Sequence, residues 1–220
     1  MSEPLPHLSL IETRVLGVLV EKQHTVPDTY PLTLNALVAG CTQKTSRDPI
    51  LDVGTADVQA AIDHLRQLSL VVETSGGRVM RYAHNIGRVL GVPTEVVALL
   101  ATLMLRGPQT SGEIRQSAER LHRFADISSV EAYLDELSRR AAGALVIELT
   151  RSPGTRETRW MHLLSGPPAQ QPVNYATTSG DAPKSSDLVT LRQDVDALQR
   201  EVADLRASLG RVMNELGLSR

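Results

Sequence analysis

Val58-Gln-Ala-Ala-Ile-Asp-His-Leu65 recurs downstream as Val130-Glu-Ala-Tyr-Leu-Asp-Glu-Leu137, with four of eight positions identical. Val58, Ile62 and Leu65, like Val130, Leu134 and Leu137, fall at i, i+4 and i+7, so each stretch reads as a helix with one apolar face. The recurrence continues on both sides. Leu70-Val-Val-Glu73 is echoed by Leu145-Val-Ile-Glu148, and Arg78-Val-Met-Arg-Tyr-Ala-His84 by Arg156-Glu-Thr-Arg-Trp-Met-His162. Upstream, Leu16, Leu19 and Lys22 match Leu100, Leu103 and Arg106. The offset grows from 72 to 78 downstream and is 84 upstream, so the first copy carries about twelve extra residues between its first and third helices.

Each copy therefore reads helix, helix, helix, hairpin. Helix one spans Leu10 to Gln23 behind a Ser9-x-x-Glu12 capping box, with Glu95 to Arg106 as its counterpart. Helix two spans about Leu32 to Thr42, with Ser111 to Leu121 as its counterpart behind Thr110-x-x-Glu113. Helix three spans Ala56 to Leu68, or Ser129 to Ala142 after Ser128-x-x-Glu131. Paired β runs follow, joined by Ser75-Gly76-Gly77 and by Arg151 to Thr155. Three helices closed by a hairpin is the winged-helix arrangement. The expected fold is mainly α with small β-hairpins (α+β): two tandem winged helix-turn-helix domains plus a C-terminal coiled-coil helix. The expected boundaries are 1–90 and 91–165 for the two winged helices, 166–186 for a flexible Pro/Gly/Ser-rich linker and 187–220 for the tail.

That tail carries the clearest periodic signal. Leu188, Leu191, Val195, Leu198, Val202, Leu205, Leu209, Val212 and Leu216 alternate by three and four over more than four heptads. Val among the a positions with mainly Leu at d favours a parallel two-stranded pair. Asp187 with Arg192 and Glu201 with Arg206 are complementary across such a pair. A homodimer through this helix is expected; the alternative is a helix folded back on its own domains.

Composition narrows the chemistry. The 220 residues hold 23 Lys+Arg against 25 Asp+Glu, a formal charge of −2. Residues 1–90 carry 8 basic and 9 acidic side chains, residues 91–165 carry 9 and 9, and residues 166–220 carry 6 and 7, so no segment is basic. An electrostatically driven nucleic-acid binder is disfavoured. Cys41 is the single cysteine, which excludes intramolecular disulfides, thiolate zinc sites and iron–sulfur clusters. The N-terminus lacks a signal-peptide pattern, and the apolar run Val96 to Leu105 is about half of what a bilayer requires. A cytoplasmic protein without membrane contact is expected.

The stretches Glu21-Lys22-Gln23, Tyr30-Pro31-Leu32, Gln43-Lys44-Thr45-Ser46-Arg47-Asp48-Pro49, Leu105-Arg106-Gly107-Pro108-Gln109-Thr110 and Met161-His162-Leu163-Leu164-Ser165-Gly166 resemble those of the YceH-like family of bacterial proteins. The resemblance covers about residues 8–166. It implies two winged-helix domains in the bacterial cytoplasm and carries over no catalytic residue.

Winged helices most often bind DNA, with the third helix in the major groove and the wing on phosphate or the minor groove. Candidate DNA or partner contacts are Lys44 and Arg47 in the extra segment of the first copy, Arg78 and Arg81 on the first wing, and Arg151, Arg156 and Arg159 on the second. The alternative for the wing arginines is pairing with Glu73, Glu148 or Glu157; for Lys44 and Arg47 it is a helix C-cap. The third helices argue against DNA, because Asp57, Asp63, Glu131, Asp135 and Glu136 are acidic. The six histidines show no metal-binding spacing, and no nucleophile elbow or phosphate loop appears. No enzyme activity and no cofactor are expected. His84 and His162 are repeat equivalents, for which packing is the simpler role, and Cys41 reads as a small core filler. The leading expectation is a dimeric, DNA-binding or transcription-associated regulator. The runner-up is a protein-docking module without direct DNA contact.

Overall fold

A computed structural model describes residues 6–75, 79–151 and 157–168. These lie in one compact unit, Met1–Ala169. The heptad residues Leu188 to Leu216 and most of the linker lie outside the described residues. The fold is mixed α and β and mainly helical.

The first repeat consists of α1 (Leu10–Thr25), β1 (Leu32–Thr33), α2 (Leu34–Cys41), α3 (Thr55–Gln67), β2 (Val71–Ser75) and β3 (Met80–His84). A 3-10 turn, Pro27–Thr29, joins α1 to β1. The strands form an antiparallel sheet in the order β1-β3-β2, with Leu32 opposite Tyr82 and Glu73 on the other side of Tyr82. A short helix, α4 (Ile86–Leu90), follows and ends on Gly91 at φ +63°, a conformation that glycine adopts without strain. The second repeat holds α5 (Thr94–Arg106), α6 (Ser111–Ala118), α7 (Ile127–Ser138), β4 (Val146–Glu148) and β5 (Trp160–His162). A bridge between Gln109 and Trp160 stands where Leu32 pairs with Tyr82, so the second repeat keeps a one-residue remnant of β1.

The helix starts follow local chemistry. Ser9 and Glu12 close the capping box at α1, and Thr110 and Glu113 do so at α6. Helix α2 begins two residues later than its apolar pattern suggests, because Leu32 pairs with Tyr82 and Thr33 then caps α2 by accepting from the Ala36 N–H. At α7 the cap is Asp126, whose carboxylate accepts from the Ser129 N–H at 2.7 Å, and not Ser128. That helix stops at Ser138, short of Ala142.

The two repeats meet through their first helices. Every residue from Val96 to Leu105 is buried, which accounts for the long apolar run: α5 faces its own repeat on one side and α1 on the other. The helices approach so closely that a Cβ on Gly17 would lie 2.8 Å from Leu105 Cγ. One apolar core, from Leu8 to Leu164, runs through both repeats. Two hydrogen bonds close the unit: the Leu8 backbone N–H donates to the Leu164 carbonyl at 2.8 Å, and the Arg140 guanidinium donates to the Leu90 carbonyl.

His84 and His162 end β3 and β5 at equivalent places, each with Nδ1 buried and without a hydrogen-bond partner among the described residues. Burial pushes both imidazoles down to about 4, with His24 adding repulsion at His84. Between that value and the ordinary 6.5, the unfolded chain holds a proton at each histidine that the folded chain lacks.

Two outcomes follow from this packing. Gly17→Val should lower stability by about 1–3 kcal/mol in chemical denaturation through overpacking of the α1–α5 contact. Stability should fall as pH drops from about 6.5 to about 4, with roughly one proton taken up per buried histidine on unfolding. His162→Gln should remove its share of that slope in pH-dependent denaturation.

Candidate functional site

The extra segment of the first copy is held from inside. Arg14, on α1, is completely buried; its Nη2 donates to the Pro49 carbonyl at 2.6 Å and its Nη1 to the Cys41 carbonyl at 3.4 Å. Burial pulls its guanidinium below the ordinary arginine range, and the nearby positive charge of Arg47 adds to this. Arg47 itself has a fully buried side chain. It grips Glu21 with two bonds, 3.1 Å to Oε1 and 2.6 Å to Oε2, and donates to the Gly40 carbonyl at 3.3 Å. Burial opposes ionisation of Glu21, yet the hydrogen bonds and charge of Arg47 hold its carboxyl below the usual range. The segment then reaches the second repeat, where the Asp48 N–H donates to the Leu105 carbonyl at 2.8 Å.

Arg47 is therefore a structural brace and not an outward contact, which corrects the expectation that it meets DNA or a partner. Lys44 is exposed in the same segment. Cys41 is fully buried, and burial pushes its thiol up to about 11, in keeping with core packing.

The hairpin arginines divide. Arg81 donates to the carbonyls of Thr29 at 3.1 Å and Pro31 at 2.8 Å. Its equivalent, Arg159, donates to the Pro108 carbonyl at 2.7 Å and pairs with Glu113 at 3.0 Å. Pro31-Leu32-Thr33 and Pro108-Gln109-Thr110 are themselves equivalent, each ending in the threonine that caps the second helix. The two arginines thus tie the hairpin to the start of α2 and α6. Neither Arg81 nor Arg159 pairs with Glu73, Glu148 or Glu157: Arg66 takes Glu73 at 2.6 Å, and Glu148 accepts from the Thr158 hydroxyl at 2.5 Å. Arg151 is exposed. Arg78 and Arg156 lie outside the described residues.

The third helices keep their acidic character at the surface. Asp57 and Asp63 are exposed on α3, and Glu131, Asp135 and Glu136 on α7. The arginines available to offset them are engaged: Arg66 with Asp63 and Glu73, and Arg139, at the C-cap of α7, with Asp135 at 3.4 Å. His64 is bound to Glu12 of the α1 capping box.

A feature that sequence reading passed over lies at the α6–α7 turn. A cleft of about 310 Å³ is lined by Gly112, Arg115, Gln116, Glu119, Arg123, Phe124 and Ile127. Three arginines within nine residues (Arg115, Arg120 and Arg123) were the available signal, hidden by the neutral charge of the whole repeat. Among the described residues, no group of three or more His, Cys, Asp or Glu side chains is placed to hold a metal, and no helix is long and apolar enough to cross a membrane.

Residues 8–155 match the family model described as "Protein of unknown function, DUF480". The chain is 57% identical over 211 residues to a UPF0502 protein of Dechloromonas aromatica, covering 95% of this chain and 97% of that one. It is 54% identical over 211 residues to a UPF0502 protein of Burkholderia thailandensis, covering 96% and 90%. A UPF0502 protein of Leptothrix cholodnii is 54% identical over 215 residues, covering 96% of each. The resemblance to the YceH-like family is consistent with these matches. On this likeness, which spans both repeats and nearly the full length of its relatives, the chain belongs to the DUF480/UPF0502 family of bacterial proteins.

Proposed function

We propose that each repeat is a winged helix and that the chain is a non-catalytic, cytoplasmic docking protein that binds other proteins. The order helix, strand, helix, helix, strand, strand, with the sheet order β1-β3-β2, supports the winged-helix assignment in the first repeat. The observation that carries the docking reading is the state of α3 and α7. A third helix entering a major groove must meet phosphates with free cations. Here the exposed faces are acidic, and Arg66 and Arg139 are bound to carboxylates. Arg47, Arg81 and Arg159 are likewise committed to internal partners.

A DNA-binding regulator is the second reading. The exposed Arg115, Arg120 and Arg123 at the α6–α7 turn favour it, since a helix-turn-helix meets the backbone there. The acidic face of α7 next to that turn disfavours it, because a phosphate track would cross both.

The heptad residues 188–216 lie outside the described residues, and their periodicity supports pairing of two copies. Two docking units on one stalk would raise the effective concentration for a repeated or symmetric partner.

Mixed-sequence duplex DNA, followed by fluorescence anisotropy across a salt titration, should show no binding at physiological salt. A log–log slope of about −0.9 per phosphate contacted would instead establish DNA as the ligand. Removal of residues 187–220 should take the particle from two chains to one by light scattering; an unchanged number of chains per particle removes the stalk.

A further inference from the structure

We propose that the cleft at the α6–α7 turn is a docking site for a short acidic peptide segment that carries an apolar side chain. This rests on reading the chain as a protein-docking module and names the chemistry of one partner. Arg115 and Arg123 line the cleft and both are exposed. Arg123 makes no ion pair or side-chain hydrogen bond with a described residue, whereas Arg115 donates to the Ala125 carbonyl at 3.2 Å and keeps its remaining donors for a ligand. Two guanidiniums present the fork geometry that takes carboxylates two bonds at a time.

Beside the polar Gln116 and Glu119, the lining has two apolar side chains, Phe124 and Ile127. Phe124 is 3% exposed and is braced edge-on by His122 at 4.7 Å and by Tyr133 at 5.9 Å. Ile127 remains 46% exposed beside it, at the first position of α7, with no element among the described residues covering it. A branched or aromatic side chain laid on Ile127, with Phe124 as a firm floor beside it, would remove the exposed surface of Ile127 from water while its acidic neighbours meet the arginines.

Charge decides between a peptide and a nucleic acid. Glu119 stands in the lining itself, and Asp126, Glu131 and Asp135 follow along the α7 side. A continuous phosphate backbone leaving the cleft toward α7 would run over these carboxylates. A short segment ends its negative charge inside the cleft and avoids them. The volume of about 310 Å³ is at the small end of ligand clefts, suited to a few side chains and not to a duplex.

The test uses the full chain and a short fluorescein-labelled peptide with two adjacent glutamates beside a leucine, read by anisotropy. Arg123→Ala carries the decision, because its side chain supports no described neighbour; Arg115→Ala is read beside it with thermal unfolding as a fold check. Binding by the wild-type chain, about tenfold weaker in Arg123→Ala and tighter in Glu119→Gln, is expected. A Lys44→Ala chain should bind as the wild type does. Binding that is unchanged in Arg123→Ala overturns the cleft and leaves the docking function standing, and so does an absence of binding to the wild-type chain. Duplex DNA binding that is lost in Arg123→Ala overturns both the cleft and the docking function.

Discussion

The close approach of α1 and α5 is the constraint on which the unit depends. A helix that is buried all round must find apolar neighbours on every side. A single three-helix repeat offers α5 neighbours on one side; α1 of the other repeat supplies the rest. Gly17 makes the approach possible, since any side chain there would collide with Leu105. The two repeats therefore share one core, and their hairpins and second and third helices are held at a fixed relation by the helices between them.

Around that contact, arginine does structural work that its charge disguises. Arg14 and Arg47 both enter the interior and fasten the segment between α2 and α3: Arg14 bonds to its Pro49 carbonyl, and Arg47, within the segment, reaches back to the Gly40 carbonyl of α2. Leaving a buried guanidinium without partners costs several kcal/mol, on the order of 3–5 when one member of a buried pair is removed. The bidentate bond from Arg47 to Glu21 supplies the missing charge, while Arg14 bonds to two backbone carbonyls. The segment so fastened then bonds to the Leu105 carbonyl, at the end of the same helix that fills the core. The insertion that distinguishes the first repeat thus reinforces the junction between repeats.

Much of this architecture was legible in the sequence because it rests on local rules. The recurrence of Val58 to Leu65 at Val130 to Leu137, the capping boxes at Ser9 and Thr110, and the paired β runs all follow from periodicity and short-range hydrogen bonding. What escaped depends on tertiary contacts. Leu32 reads as the start of a helix until Tyr82 pairs with it. Asp126 outcompetes Ser128 as a cap only by the detailed geometry of the turn. The burial of Arg47 could not be seen, because Arg in a polar loop has the same local signature whether it faces solvent or Glu21. The cleft at the α6–α7 turn was hidden for the opposite reason: balanced charge over the repeat conceals a local separation of signs.

That separation bears most directly on function. In the second repeat, the end of α6 and the turn after it present Arg115, Arg120 and Arg123, while the exposed face of α7 presents Glu131, Asp135 and Glu136. A uniform polyanion gains at the first surface and loses at the second, so the two nearly cancel over its length. A protein partner, whose surface can carry both signs within a few residues, gains at each. Side-by-side patches of opposite charge also reject partners whose pattern is reversed, which is how an interface of modest area acquires specificity. The neutral composition of the repeat is thus not the mark of an inert surface. It is the sum of two surfaces whose arrangement suits a patterned protein ligand better than a nucleic acid.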